Sequence, residues 1–217
     1  MARRDTIALW LVVALIIAAS VSAASAVDIS KVSAGKIDLY NLAVDEAQAG
    51  NYTEAMAYAD AALAIDDTFM LVWVTKAGIS SAQGNYTAAL AAAEKATALN
   101  PNQTQAWVVT ADALLNLGEY EKAVGAADKA IALDPEMIES YIIQGTAYGH
   151  LGEYDKEIAV SKRALEINPE DVRAQSNLHF AQANAGTGSE PTQTPFPLAG
   201  VILGAGALFL ISRRGYR

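Results

Sequence analysis

Residues 104–137 read TQAWVVTADALLNLGEYEKAVGAADKAIALDPEM, and this stretch decides the fold. It reads as two antiparallel helices. The first runs from about Ala106 to Leu117. Gly118 then permits a tight turn, because a residue without Cβ tolerates positive φ. The second helix runs from roughly Glu121 to Leu133, where Asp134-Pro135 stops it. Ala123 and Ala130 are small enough to let the paired helices approach, while Trp107 and Tyr120 fill the space beside them.

The stretch is one of four. Gly50, Gly84, Gly118 and Gly152 recur at intervals of 34, each followed two residues later by a tyrosine: Tyr52, Tyr86, Tyr120 and Tyr154. Ala62, Ala96, Ala130 and Ala164 keep the same period, as do Ala55, Ala89 and Ala123, and Pro101, Pro135 and Pro169. Trp73, Trp107 and Tyr141 stand 11 residues before the last three glycines. The units span 36–69, 70–103, 104–137 and 138–171 without insertion or deletion. One helix pair cannot bury its apolar face alone, so stacked pairs must share a continuous core. Composition agrees: of 217 residues 45 are alanine and only four are phenylalanine, which suits closely packed helices rather than a sheet.

The period and the W…G-x-Y…A…A…P spacing resemble the tetratricopeptide repeat family. The resemblance covers about two thirds of the chain and implies an all-α, right-handed solenoid of helical hairpins. The first unit departs from the pattern, with Leu39 in place of the tryptophan and Asp67 in place of the proline, as terminal repeats commonly do. In the fourth, Glu157 replaces an alanine present in the other three. Residues 172–185 read as a final capping helix, with Arg173, Gln175, Asn177 and Gln182 as its polar cover.

Both ends of the chain read as addresses. Arg3 and Arg4, the 13 apolar residues from Ile7 to Ala19, and Ala24-Ser25-Ala26 make residues 1–26 a signal peptide cleaved after Ala26. An uncleaved anchor is disfavoured, since 13 helical residues span only ~20 Å of a ~30 Å hydrocarbon core. Residues 27–35 are a short linker, and residues 186–197, GTGSEPTQTPFP, a second one. Leu198 to Ile211 then carries no charge, and Arg213, Arg214 and Arg217 close the chain. Residues 198–217 therefore read either as a plain membrane anchor with its arginines toward the cytoplasm, or as a processed segment. The second reading rests on a resemblance to the tripartite sorting signals of exosortase and archaeosortase substrates. Either way the body lies outside the cytoplasmic membrane, at the cell surface.

The chain offers little to catalysis. It has no cysteine, which excludes a disulfide framework, thiol catalysis and cysteine-ligated zinc. Its two histidines, His150 and His179, fall at different repeat positions, and no nucleotide-binding, hydrolase or zinc-protease motif occurs. The acidic groups Asp66-Asp67, Glu119/Glu121 and Glu153/Asp155/Glu157 lie at helix starts and turns, where solvated carboxylates favour the helix dipole. No enzyme, cofactor or metal is expected. Residues 27–197 hold 23 acidic groups against 10 basic ones, a net charge of −13 that repels nucleic acid. Asn51, Asn85 and Asn102 head N-x-[ST] sequons, so export would make them glycosylation acceptors.

What remains is a surface. The family resemblance implies that first helices of successive units line a concave groove for partner peptides. Its groove positions map to Tyr40, Val44, Val74, Gly78, Ser81, Val108, Asp112, Asn116, Ile142 and Thr146. Val74, Val108 and Ile142 share one repeat position and are expected to align as an exposed apolar stripe. The cationic clamp that some family members use for a peptide carboxylate is missing, since Val108, Val109 and Asp112 stand where it would be. The expected function is a non-catalytic scaffold or adaptor that binds another envelope or membrane protein. The alternatives are an assembly factor for a pilus, secretion or S-layer machine, and a small-molecule or glycan-binding domain.

Overall fold

The structure is a computed structural model, and it describes residues 35–185. The signal-peptide, linker and anchor readings at the two ends lie outside these residues. Helices α1 (Lys36–Gln48) and α2 (Tyr52–Ile65) form the first hairpin, α3 (Met70–Ala82) and α4 (Tyr86–Leu99) the second. Helices α5 (Thr104–Asn116) and α6 (Tyr120–Leu133) form the third, α7 (Ile138–His150) and α8 (Tyr154–Ile167) the fourth, and α9 (Val172–Asn184) closes the series. No strand occurs among the described residues. The fold is an all-α solenoid. Helix α5 starts two residues before the expected Ala106, directly after Gln103, whose extended backbone forms the N-cap.

Each hairpin turn has one conformation. Gly50, Gly84, Gly118 and Gly152 adopt φ of 81°, 74°, 78° and 72°. In the third unit Gly118 N–H donates to Leu115 O at 3.0 Å and Glu119 N–H to Leu114 O at 2.9 Å, the paired bonds of a Schellman cap. They satisfy carbonyls that the helix end leaves open. The connection between units also repeats. Asp66, Asn100, Asp134 and Asn168 each accept, through Oδ1, the backbone N–H two residues on, at 3.0–3.1 Å. Trp73 Nε1 donates to Asp67 O at 2.8 Å, Trp107 Nε1 to Pro101 O at 2.7 Å, and Tyr141 Oη to Pro135 O at 3.1 Å. Gln175 Nε2 reaches Pro169 O at 2.8 Å in the same way. Helix α9 is therefore the first helix of a fifth unit, with glutamine in the place of the aromatic.

The two helices of a hairpin divide the labour. Second helices bury small side chains: Ala55, Ala59 and Ala62 in α2, and Ala123, Ala126, Ala127 and Ala130 in α6. First helices bring the bulk, and α5 buries residues all round, from Val108 and Val109 to Leu114 and Leu115. One cluster joins Val108, Leu114 and Leu115 of α5, the alanines of α6, and Ile143 and Ala147 of α7. The core thus runs continuously through successive units.

The fourth unit breaks the alanine rule. Helix α8 buries Glu157 and Ser161 where the other second helices bury alanine. Glu157 is 1% exposed, which corrects the expectation that its acidic group is solvated. Its room comes from Gly149: a Cβ there would stand 2.7 Å from Glu157 Oε2 and 3.0 Å from Cδ. At the equivalent places the third unit has Leu115 and Ala123. The bulk has moved from one helix to the other.

The cap also differs from its reading. Gln182 is exposed, but Asn177 Nδ2 turns inward, donating to Thr146 Oγ1 at 3.1 Å and to Ile142 O at 3.2 Å. Arg173 pairs with Asp171 at 3.0 Å and Glu139 at 3.6 Å. Two of the four cover residues thus tie α9 to α7 and its own N-cap. A carboxamide and a guanidinium can do this because the Thr146 hydroxyl, the Ile142 carbonyl and the Glu139 carboxylate of α7 lie within their reach.

Candidate interaction face

First helices of adjacent units touch one another, α1 with α3, α3 with α5, α5 with α7 and α7 with α9. Second helices make no comparable contact with each other. The more closely spaced set lies on the inside of a curved stack, so the first helices line the concave side. All ten groove positions read from the sequence fall on α1, α3, α5 and α7.

The structure divides those ten. Val74, Val108 and Ile142 are 3%, 1% and 4% exposed. Val74 packs in a cluster with Ala106 and Val109 of the next first helix, Val108 with Ile143 and Ala147, and Ile142 with Ala174. The expected bare stripe is therefore a row of seam residues between units. Neighbouring first helices lie close enough for each branched side chain to be covered by the next helix. Tyr40, Val44 and Gly78 are buried as well. Ser81, Asn116 and Thr146 are half-buried.

Polar bridges cross the same face. Ser81 Oγ on α3 donates to Asp112 Oδ2 on α5 at 3.1 Å. Asn116 Nδ2, one turn beyond, donates to Asp112 Oδ1 at 3.0 Å and to its backbone carbonyl at 2.8 Å. Asp112 is 5% exposed, and no cation pairs with it among the described residues. Burial pushes its carboxyl up to about 6, against the downward pull of the Ser81 and Asn116 hydrogen bonds. A second bridge joins Thr146 to Asn177 of α9. Ser81 with Asp112 and Thr146 with Asn177 thus link successive first helices beside the buried seam of Val74, Val108 and Ile142.

The remaining singled-out residues are not assembled into a chemical site. Lys36 pairs with Asp66, Lys122 with Glu119, and Lys156 with Glu153 at 2.7 Å. Among the described residues no three His, Cys, Asp or Glu side chains are grouped to hold a metal ion. His150 stacks on Tyr120, with centroids 4.4 Å apart and planes 4° from parallel, and burial lowers its pKa; His179 is exposed on α9. Of the sequon asparagines, Asn51 Nδ2 donates to Glu46 at 2.7 Å and Asn85 Oδ1 caps α4 through Ala88 N–H at 3.1 Å. Asn102 is exposed. No helix of the described residues is long and apolar enough to cross a membrane.

Repeated helical hairpins, positive-φ turn glycines and a shared alanine core define a helical-repeat solenoid. The sequence agrees with that class: tetratricopeptide repeat family models match residues 39–65, 81–138 and 138–171. Those matches together take in more than half of the chain, which belongs to the tetratricopeptide repeat family. No curated protein sequence matches it. Among solved structures, MamA (residue 41 onward) from Desulfovibrio magneticus RS-1 is 22% identical with a TM-score of 0.62, over 70% of this chain and 86% of its own. TTC0263, a thermophilic TPR protein of Thermus thermophilus, is 21% identical with a TM-score of 0.60, over 81% of this chain and 100% of its own. The first TPR of Spaghetti (RPAP3), bound to the HSP90 peptide SRMEEVD, is 24% identical with a TM-score of 0.51, over 52% of this chain and 91% of its own. At these identities the likeness is one of fold. Tetratricopeptide repeat domains are scaffolds for protein–protein interaction, and the chain shares that general character.

Proposed function

We propose that this chain is a non-catalytic scaffold exposed outside the cytoplasmic membrane, binding a segment of another envelope protein along its concave face. The observation that carries the proposal is the Ser81–Asp112–Asn116 bridge. It places a buried carboxylate without a cation on the face that the family uses for peptides. Asn116 and Thr146, on the third and fourth units, are half-buried on the same face, so a segment laid along it meets both side chains. The HSP90 peptide held by RPAP3 is acidic, whereas Asp112 repels a carboxylate; the segment bound here is of different chemistry. Export rests on the signal-peptide pattern of residues 1–26, and attachment on residues 198–217, as an anchor or a processed sorting signal.

The test is an Asn116→Arg, Thr146→Arg double variant, assayed by pull-down from detergent-solubilised envelopes beside the wild type. Both side chains are only half-buried, so helical content by circular dichroism is retained and partner recovery falls. Unchanged recovery with a folded variant refutes the concave-face reading and directs attention to the acidic outer face. Val108 and Ile142 are unsuitable targets, because a charge at either seam position perturbs the fold itself.

A further inference from the structure

The fourth unit contains a buried acid that the binding face does not use. Glu157 lies in the seam between α8 and α7, seated against the backbone of Gly149. Its Oε2 has no hydrogen-bond partner, and neither has the hydroxyl of Ser161 one turn along α8 or of Ser140 on α7. The other titratable groups on the helices around it pair elsewhere, stack on rings or face water, and of these His150 Nε2 and the Tyr154 hydroxyl are also buried without a hydrogen-bond partner. On α7, Glu139 pairs with Arg173, Tyr141 donates to Pro135 O, Tyr148 lies under the Lys156 ammonium, and His150 stacks on Tyr120. On α9, Arg173 also holds Asp171, and His179 is exposed. On α8 itself Tyr154 packs edge-on to Phe180, Asp155 and Lys162 are exposed, Lys156 pairs with Glu153, and Arg163 spans Glu136 and Glu166. Among the described residues no cation offsets the Glu157 charge.

We propose that Glu157 is a proton-gated latch for the C-terminal part of the solenoid, closed over Gly149 as the neutral acid and released from the α7–α8 seam when it ionises. A neutral carboxyl can sit in a seam of glycine, serine and alanine, but a carboxylate there lacks both water and donors. Burial alone pushes its pKa up to about 8. The ionised group regains hydration only by moving outward, which parts α8 from α7 and loosens α9 beside it. The response is confined to the last unit, since Ala55, Ala89 and Ala123 occupy the same place in the others.

Hydrogen exchange on the full chain between pH 5 and 9, corrected for intrinsic amide rates, tests the latch against Glu157→Gln. The opening equilibrium of α7–α9 amides should rise about tenfold per pH unit more steeply in the wild type than in the variant between about pH 4.5 and 8. Amides of α1–α6 should follow one profile in both. Identical pH profiles for α7–α9 in the two proteins overturn the proposal. Should the glutamine variant not fold, carbon NMR of the Glu157 carboxyl in the wild type decides. A midpoint near 8 supports the latch, and one in the ordinary carboxylate range overturns it.

Discussion

Replacing Gly149 by Leu and Glu157 by Ala transplants into the fourth unit the pair that the third unit has in Leu115 and Ala123. The two single substitutions and the double form a cycle whose outcome follows from the geometry. Gly149→Leu alone drives a side chain into the space of the Glu157 carboxyl, since even a Cβ would stand 2.7 Å from Oε2. Overpacking of this kind costs about 1–3 kcal/mol. Glu157→Ala alone opens a void over Gly149, at a cost of order 2–3 kcal/mol. It also removes a penalty. The unfolded chain releases this proton near the ordinary value of 4.5 and the folded chain holds it to about 8, so stability falls as pH rises between the two. At pH 7 the accumulated penalty is of order 3 kcal/mol, so the alanine variant should lie close to the wild type. In the double variant leucine fills the void, the penalty is gone, and glycine has left the last turn of α7, worth at most about 1 kcal/mol. The double variant should therefore be more stable than the wild type, with a favourable coupling of about 3–6 kcal/mol between the sites, the overpacking and void costs that the pair removes together. Urea unfolding at pH 7, followed by far-UV circular dichroism, measures all four corners. Single effects that add to the double within ~0.5 kcal/mol would refute the claim that these side chains contest one space.

Two further outcomes are expected. Gly118→Val should lower stability by about 1–3 kcal/mol, because φ of 78° is strained for a β-branched residue; thermal melts coincident with the wild type would sink that account of the turn. Intact-mass analysis of the membrane form should show a chain starting at Val27. A terminus at Arg217 then excludes sorting-signal cleavage, and loss of the final ~20 residues excludes the plain anchor.

The solenoid was legible in the sequence because each of its devices is local and repeated. A turn that needs positive φ selects glycine, two helices in close approach select alanine, and a chain that must leave a helix uses proline. Each leaves a residue at a fixed offset, and a period of 34 makes the set visible. The Asx connection at 66, 100, 134 and 168 left the same kind of trace, hidden only by the alternation of Asp and Asn. The concave face was less legible. Val74, Val108 and Ile142 repeat as faithfully as any groove residue would, but repetition does not say whether the next helix covers a side chain. That depends on the spacing between first helices, which tertiary packing sets. The same holds for Asp112 and Glu157, one bridged by Ser81 and the other lodged over Gly149. Ser81 and Gly149 each lie on a neighbouring helix, 31 and eight residues away in sequence from the acid they meet. The protonation of an acid depends on what surrounds it, and only the folded stack decides that.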